Sequence, residues 1–394
     1  MTEFTESELR SLISNVVAEH IKPLAEVKRE FTPAPTSPPA PEPEKVEPGV
    51  RFARFVMSLA AARNGWVGDD RGLRGAAKYA EERCKDSIVA RALSASNLAE
   101  GGALIPEEFS RELIEYLREE AVVRAAGANV ITIASDTILY PKQTSGAAAA
   151  YSGENVDIGK SEPAFGQLRA VGRKLTVLTP ISNDLIRHAV FGAEQLVRSD
   201  LLGAIAEKED ITFIRSAGSE YQPKGIYFWV KAAMRANANS TINVANVNAD
   251  LVNAIIRVRT NKKRFPRRGV WFFSPRTYGY LFKALDANSN PVWRDEMREG
   301  TLLGYPYFVT GQIPENLGTG SDETEVYFGD INDAIITQMG ETRVDVTTEG
   351  AYMDSGTLKS AFSLDQTVIR VIVKHDFTLR YDSSFAVIEQ VKWQ

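Results

Sequence analysis

Residues 131–186 read ITIASDTILYPKQTSGAAAAYSGENVDIGKSEPAFGQLRAVGRKLTVLTPISNDLI. Two runs with strand character, Val130–Tyr140 and Leu168–Thr179, flank a middle rich in Gly, Ala, Ser and charge. The flanks alternate and are rich in β-branched residues, as half-buried strands are. The middle has almost no large apolar side chains, so it cannot build its own core. A helix signal follows at once, with Asn183 or Ser182 as cap and Leu185, Ile186 and Ala189 as apolar positions. A long hairpin that buries little of itself, mounted on a helix, is an arm suited to reach a neighbour. That pattern points to assembly rather than catalysis.

The chain has 394 residues, room for two or three domains. Hydrophobic residues make up 44% and charged residues 25%, ordinary values for a globular protein. A net charge of −5 argues against a chain that binds nucleic acid over its whole surface. The single cysteine, Cys84, excludes an intrachain disulfide framework and a cysteine-based zinc site. No apolar run is long enough for a transmembrane helix. The start, MTEFTESELRSL, lacks the basic and apolar regions of a signal peptide, so manufacture and use in a cytoplasm are expected.

Residues 3–30 predict an amphipathic helix, with Leu9, Leu12, Ile13, Val16, Val17, Ile21 and Leu24 at three- and four-residue spacing. Such a helix with nothing adjacent to bury against pairs with another chain. Residues 32–49 hold seven of the eighteen prolines and predict an extended linker. Two helices are expected over 50–64 and 71–93. The small, polar stretch SASNLAEGGAL, 94–104, is expected to be exposed and open to proteolysis. Ile105-Pro106 then opens a helix, Glu107–Glu119.

Beyond the hairpin the pattern predicts a long helix from Asn183 to Ser216, a Pro-Lys-Gly turn before Ile226 and a helix from Asp250 to Lys262. A strand at 271–274, a helix from Pro275 to Leu285 and a turn at 300–306 follow. The remainder reads as strands: EVYFGD, AIITQM, RVDVTTE, TVIRVIVKHDFTLRY and FAVIEQV. Strands and helices do not alternate regularly, so the fold class is α+β.

Catalytic signatures are scarce. His20, His188 and His375 lie far apart and fall in no metal-ligand spacing. No GxSxG elbow is present, and no GxGxxG follows a strand. The nearest phosphate-loop pattern is GENVDIGKS, Gly153–Ser161, but it has one residue too many between its glycines and runs into Glu162-Pro163 instead of a helix start. Glu154, Asp157, Lys160 and Glu162 are better read as solvated or intersubunit charges at a loop tip. The basic cluster Lys262, Lys263, Arg264, Arg267 and Arg268 is interrupted by Phe265-Pro266 and has no aromatic platform. A solvated turn or a contact to an acidic neighbouring subunit is the commoner reading.

An ordered series of motifs runs from about residue 94 onward: GGALIPEEFSRELIEYL, then Y-x-G-E-N and SEPAFGQL, then PISNDLI. EDITFIR, PKGI, WFFSPRTYGYL, GTLLGYP, YFGD and DQTVIRVIVKHDFTLRY follow. Each is weak alone, but in this order they resemble the major capsid proteins of tailed bacteriophages with the HK97 fold. The resemblance implies an N-terminal arm, 95–130, and an extended loop with adjoining strands, 131–182. It implies a spine helix in a peripheral domain, 183–221, an axial domain, 222–338, peripheral strands, 339–384, and a final strand, 385–394.

It also implies a structural protein, not an enzyme, with no cofactor or metal. Copies would form hexamers and pentamers of an icosahedral shell around phage DNA, assembled in the host bacterial cytoplasm and ending in the virion. Portal, maturation protease and decoration proteins would be partners, DNA contact would be weak and nonspecific, and no membrane would be involved. Residues 1–94 suit a scaffolding-like segment removed at maturation, with Ala92, Leu93, Ser94 and Ala95 as the candidate junction within about 90–99. Some family members crosslink a loop lysine to a neighbour's asparagine with help from a glutamate. Here Gln167, Asp365 and Ile372 or Val373 stand near those positions, so a noncovalent shell is expected. Two alternatives stay open: an encapsulin-like compartment with the same fold, and, more remotely, a P-loop or hydrolytic enzyme.

Overall fold

The computed structural model describes residues 47, 49–65, 72–95, 103–104, 113, 116–117, 120–145, 164–188, 193–262, 266–340 and 342–393. The expected helix over 3–30, most of the proline-rich stretch and the loop tip therefore lie outside the described residues.

The first described elements are three helices: α1 (Val50–Arg63), α2 (Leu73–Glu82) and α3 (Ser87–Ala95). Gly49 precedes α1 with a φ of +82°, and a Cβ there would lie 2.7 Å from Leu202 Cδ1. Glycine meets both demands, a left-handed backbone and a close approach. The expected helix 71–93 is two helices. Lys85 takes a positive φ of 53°. The Asp86 carboxylate then caps α3 by accepting from the Ile88 and Val89 N–H groups at 3.1 and 3.2 Å.

These helices are not a separate module. Phe52, Phe55, Val56, Ala76, Val89 and Leu93 share one buried core with Leu201, Leu202, Ile205, Val344, Ile369 and Val371. Asn64 extends the contact in polar form, donating to Thr367 Oγ1 at 2.8 Å.

Along the arm, β1 (Ala103–Leu104) is followed by helical positions at 113, 116, 117 and 120, and then by α4 (Val122–Ala125). Next come β2 (Asn129–Ile133), β3 (Thr137–Ser145), β4 (Ala164–Val171) and β5 (Arg173–Ser182). The two flanking runs of the hairpin each divide. β2 pairs parallel with Ala334–Met339, and only β3 and β4 pair with each other. The chain turns at Ser135-Asp136 and again at Gly172, whose N–H donates to the Asp136 carbonyl at 2.9 Å.

The spine follows as α5 (Asn183–His188) and α6 (Ala193–Arg215). Then come α7 (Ile226–Trp229), β6 (Arg235–Asn237), α8 (Val244–Lys262), β7 (Gly269–Phe273), α9 (Pro275–Lys283) and α10 (Arg294–Arg298). The strands β8 (Thr301–Leu302), β9 (Tyr305–Val309), β10 (Thr324–Asp330), β11 (Ala334–Met339), β12 (Arg343–Thr347), β13 (Ala351–Asp354), β14 (Thr357–Ser360), β15 (Gln366–Leu379) and β16 (Phe385–Val391) complete the chain.

Two six-stranded sheets organise these strands. One runs β1-β12-β15-β11-β2, with β5 also on β15; the other runs β6-β16-β10-β7-β9-β8. β11 belongs to the first sheet. β16 returns to the second sheet by pairing antiparallel with β10. β7, β10 and β11 are buried along their whole length, which is why they read as continuous apolar runs. A second core, with Trp271, Phe272, Tyr327 and Phe328 fully buried, fills the space between the second sheet and α8 and α9.

Candidate assembly interface

The arm is a stalk of two strands. β3 and β4 pair from Thr137 with Val171 outward to Ser145 with Ala164, with a register shift between Gln143 and Ser145. Leu168 and Ala170 near the base are buried, whereas Leu139 is 52% exposed. Glu154, Asp157, Lys160 and Glu162 lie beyond, outside the described residues.

The base is pinned to the first sheet. Asp376 is buried at the end of the stalk and accepts from the Val171 N–H at 2.9 Å and from Arg173 Nη1 at 2.6 Å. Burial pushes the Asp376 carboxyl above its ordinary range, opposed by those two donors. The Tyr140 hydroxyl meets Thr337 Oγ1 at 2.9 Å, and Lys374 reaches Asp136 at 2.9 Å. A ribbon of two strands is marginal alone, so these contacts set its direction.

The root of the N-terminal arm is clamped to the spine. Glu209 and Asp210, adjacent on α6, hold α4 from two sides. Glu209, with no solvent exposure, takes Arg124 Nε at 2.7 Å and Nη2 at 3.0 Å. Asp210 accepts from the free N–H groups of Val122 and Val123 at 2.8 and 3.2 Å, satisfying the first turn of a short helix. Burial raises Asp210 to about 6 against the pull of those N–H groups. Burial also raises Glu209, but Arg124 and His375 outweigh it and leave its carboxyl below the usual value. His375 Nδ1 sits 3.4 Å from Glu209, and its ring stands edge-on to Phe213 at 5.3 Å. Burial lowers its pKa against the pull of the Glu209 carboxylate. Sequence reasoning missed this clamp, because Arg124 and Glu209 are 85 positions apart.

Other expected residues fall as follows. Ala92–Ala95 form the last turn of α3; Leu93 is fully buried and the Ser94 hydroxyl donates to the Ala90 carbonyl at 2.8 Å. Gln167 is exposed on β4, opposite Pro141. Asp365 accepts from Asn183 Nδ2 at 2.6 Å, Ile372 is half-buried and Val373 is buried. Arg267 and Arg268 keep their place in a turn whose N–H groups donate to Asp330 at 3.0 and 3.3 Å. They line a cleft of about 910 Å³ together with Arg124, Arg380, Asp330 and Asp333. Gly127, at φ +95°, leaves room for the Arg268 guanidinium, which a Cβ would meet at 2.5 Å. Among the described residues the cleft lining mixes both charge signs and contains no serine, cysteine or histidine. Among the described residues no cluster of three or more His, Cys, Asp or Glu side chains is arranged to hold a metal ion.

A pinned stalk, a clamped arm and two sheets joined by a spine helix form a scaffold for holding neighbours. The model of the phage capsid family matches residues 101–390. The chain belongs to the phage capsid family. It is 37% identical over 346 residues to a major capsid protein of Klebsiella oxytoca phage phiKO2, covering 86% of this chain and 78% of that one. Among solved structures it is similar to the capsid of a native GTA particle computed with C5 symmetry, at a TM-score of 0.53 and 15% identity over 68% of this chain and 90% of that one. It is likewise similar to a chain of Microbacterium phage Oxtober96, at a TM-score of 0.54 and 16% identity, with the same coverage. At such identities the solved structures speak for the fold, and that fold is the HK97-like one. The chain is thus a major capsid protein of a phage and builds the capsid shell in the virion. The encapsulin-like alternative is not favoured.

Proposed function

We propose that this capsid protein assembles into hexamers and pentamers of a closed icosahedral head, with the β3–β4 arm of each copy lying across the next. The observation that carries the reading is the stalk, pinned at its base by Asp376, whose two strands are joined in sequence by a Gly/Ala-rich, charged stretch with almost no large apolar side chains. Glu154, Asp157, Lys160 and Glu162 then act as intersubunit contacts. With Gln167 and Asp365 in place of the crosslinking pair, the shell is held by packing and charge. The chain performs no catalysis and needs no cofactor. Portal, maturation protease and decoration proteins complete the particle, packaged DNA touches it weakly, and assembly takes place in the host bacterial cytoplasm.

Residues 1–94 act in this reading as an internal scaffold, removed at a junction within about 90–99. Leu93 is buried on α3, so cutting there requires the helix end to open first. Release of α1–α3 would bare Leu201, Leu202, Ile369 and Val371, an apolar face that the maturing shell must cover again. Electron microscopy of the protein made with and without residues 1–93 tests the scaffold: closed shells only from the longer form support it, and shells from both refute it. Mass spectrometry of mature particles tests the cut, where residues 1–89 remaining in the shell would remove it. Ladders of linked subunits in denaturing gels would refute the noncovalent shell.

A further inference from the structure

The cleft beside the arm root gathers positive charge from parts of the chain far apart in sequence. Its wall holds Arg124 from α4, Arg267 and Arg268 from the turn before β7, and Arg380 from the end of β15. Its volume of about 910 Å³ is that of a pocket for a small ligand. The arm root, the entry to the second sheet and the end of the long strand of the first sheet thus each supply a guanidinium-bearing residue to one space.

The two aspartates of the wall are buried and engaged in holding the fold. Asp330 accepts from the N–H groups of Arg267, Arg268 and Asn332, and Asp333 accepts from the Ser384 hydroxyl at 2.5 Å. By contrast, Arg267, Arg268 and Arg380 are exposed, and among the described residues no hydrogen bond or ion pair engages their guanidinium groups. Arg124 decides the reading. Its side chain is only 1% exposed, Glu209 takes Nε and Nη2, and Nη1 is buried with no partner among the described residues. A buried donor left unpaired is costly, and a guanidinium cannot escape by losing its proton. Arg124 lines the cleft, so the acceptor for Nη1 has to come from there. Four guanidiniums against two carboxylates, with Glu209 behind Arg124, leave the wall net positive.

We propose that this cleft binds a phosphate group, with Arg124 Nη1 at its floor and Arg268 and Arg380 closing over it. The inference stands apart from the shell-forming reading and does not need it. Chemistry selects the ligand. A carboxylate offers two oxygens in one plane and suits a single guanidinium fork, as Glu209 already shows with Arg124. A phosphate offers three or more oxygens in a tetrahedron, which suits donors arriving from several walls. Gly127 fits the same purpose: with no Cβ, it lets the Arg268 guanidinium lie against the arm root beside Arg124. A bound phosphate would relieve repulsion among the arginines and tie the arm root to both sheets. The group can come from the free ion or from a nucleic-acid backbone, since both present the same oxygens.

The test uses unassembled subunits of the full chain and the combined variant Arg268→Gln and Arg380→Gln. Both replaced side chains face solvent, so in phosphate-free buffer the variant's thermal midpoint should stay within about 1–2 °C of the unaltered chain. For a dissociation constant of ~1 mM, adding ~50 mM orthophosphate should raise the unaltered midpoint by about 2–4 °C over potassium chloride of equal ionic strength. Titration calorimetry with orthophosphate should show binding that the variant weakens by ~10-fold or more. A second arm follows a labelled oligodeoxynucleotide by fluorescence anisotropy. Oligonucleotide bound by the unaltered chain, displaced by orthophosphate and lost in the variant, supports the site with a nucleic-acid backbone as its source. Orthophosphate binding with no bound oligonucleotide supports it with the free ion as its source. Equal midpoints in phosphate and chloride with no binding of either probe would overturn the site. So would binding of either probe that the folded variant retains in full.

Discussion

Replacing Phe55 with alanine deletes an aromatic ring that has no solvent exposure. Phe55 belongs to the core that α1–α3 share with α6 and with strands β5, β12 and β15. Truncating a phenylalanine in such a core costs about 3–5 kcal/mol, from lost burial and the cavity left behind. The unit Val46–Gln394 spans 349 residues. Unfolding entropy of ~2.1 cal/mol/K per residue then gives ~0.7 kcal/mol/K for the whole unit, so its midpoint should fall by about 4–7 °C. Phe362→Ala serves as the control: the ring is 79% exposed. A surface change of this kind stays within about 0.5 kcal/mol, or under ~1 °C. Scanning calorimetry of unassembled subunits reads both. If the N-terminal helices were only tethered to the capsid fold, Phe55→Ala would weaken a small transition of their own and leave the main one in place. An unchanged main midpoint would therefore refute the shared core.

Three further changes probe the clamp and the stalk. Asp210 has a folded pKa of about 6, above the 3.8 of an ordinary aspartate, so the native state takes up a proton first as pH falls. The cost of its buried charge is fully present above pH 6 and is relieved between pH 6 and about 4. The unaltered protein should therefore gain stability relative to Asp210→Asn over that window, by at most about 3 kcal/mol in urea titrations, and a flat difference would contradict the clamp's electrostatics. Glu209→Gln leaves the Arg124 guanidinium buried beside a neutral amide and should cost about 3–5 kcal/mol by urea midpoint, with less than ~1 kcal/mol as the contrary result. Asp376→Ala removes the acceptor of the Val171 N–H, and hydrogen exchange at that amide should accelerate by about 10–100-fold, equivalent to some 1–3 kcal/mol of local opening. Unchanged exchange would show that the stalk is pinned elsewhere.

The parts of the fold legible in the sequence are those written in local periodicity. The alternating runs on either side of the Gly/Ala-rich middle, the apolar stripe of Phe52, Phe55 and Val56, and the final FAVIEQV strand need only neighbours in sequence to be read. The order of the capsid motifs gave the family. Some missed features had local signals. Gly172 interrupts a strand pattern, as a glycine at a change of direction does. Asp354-Ser355-Gly356 between short apolar runs is a hairpin signal. Lys85-Asp86-Ser87 holds the cap that splits the second helix. Others had none. Nothing near Phe55 says that it packs with Leu202 and Ile369, and nothing near Ile335 says that β11 pairs parallel with β2. The Arg124–Glu209 pair likewise exists only once the arm root folds against the spine. Such contacts depend on closure of long loops, which local pattern does not encode.

The most direct measurement is electron microscopy of the purified chain after assembly, with circular dichroism on the same sample to confirm that the subunits are folded. Closed particles with pentamers and hexamers of this one chain, and the arm of each copy seated on the next, are the predicted result. Folded subunits that remain single at every protein and salt concentration tried would contradict it.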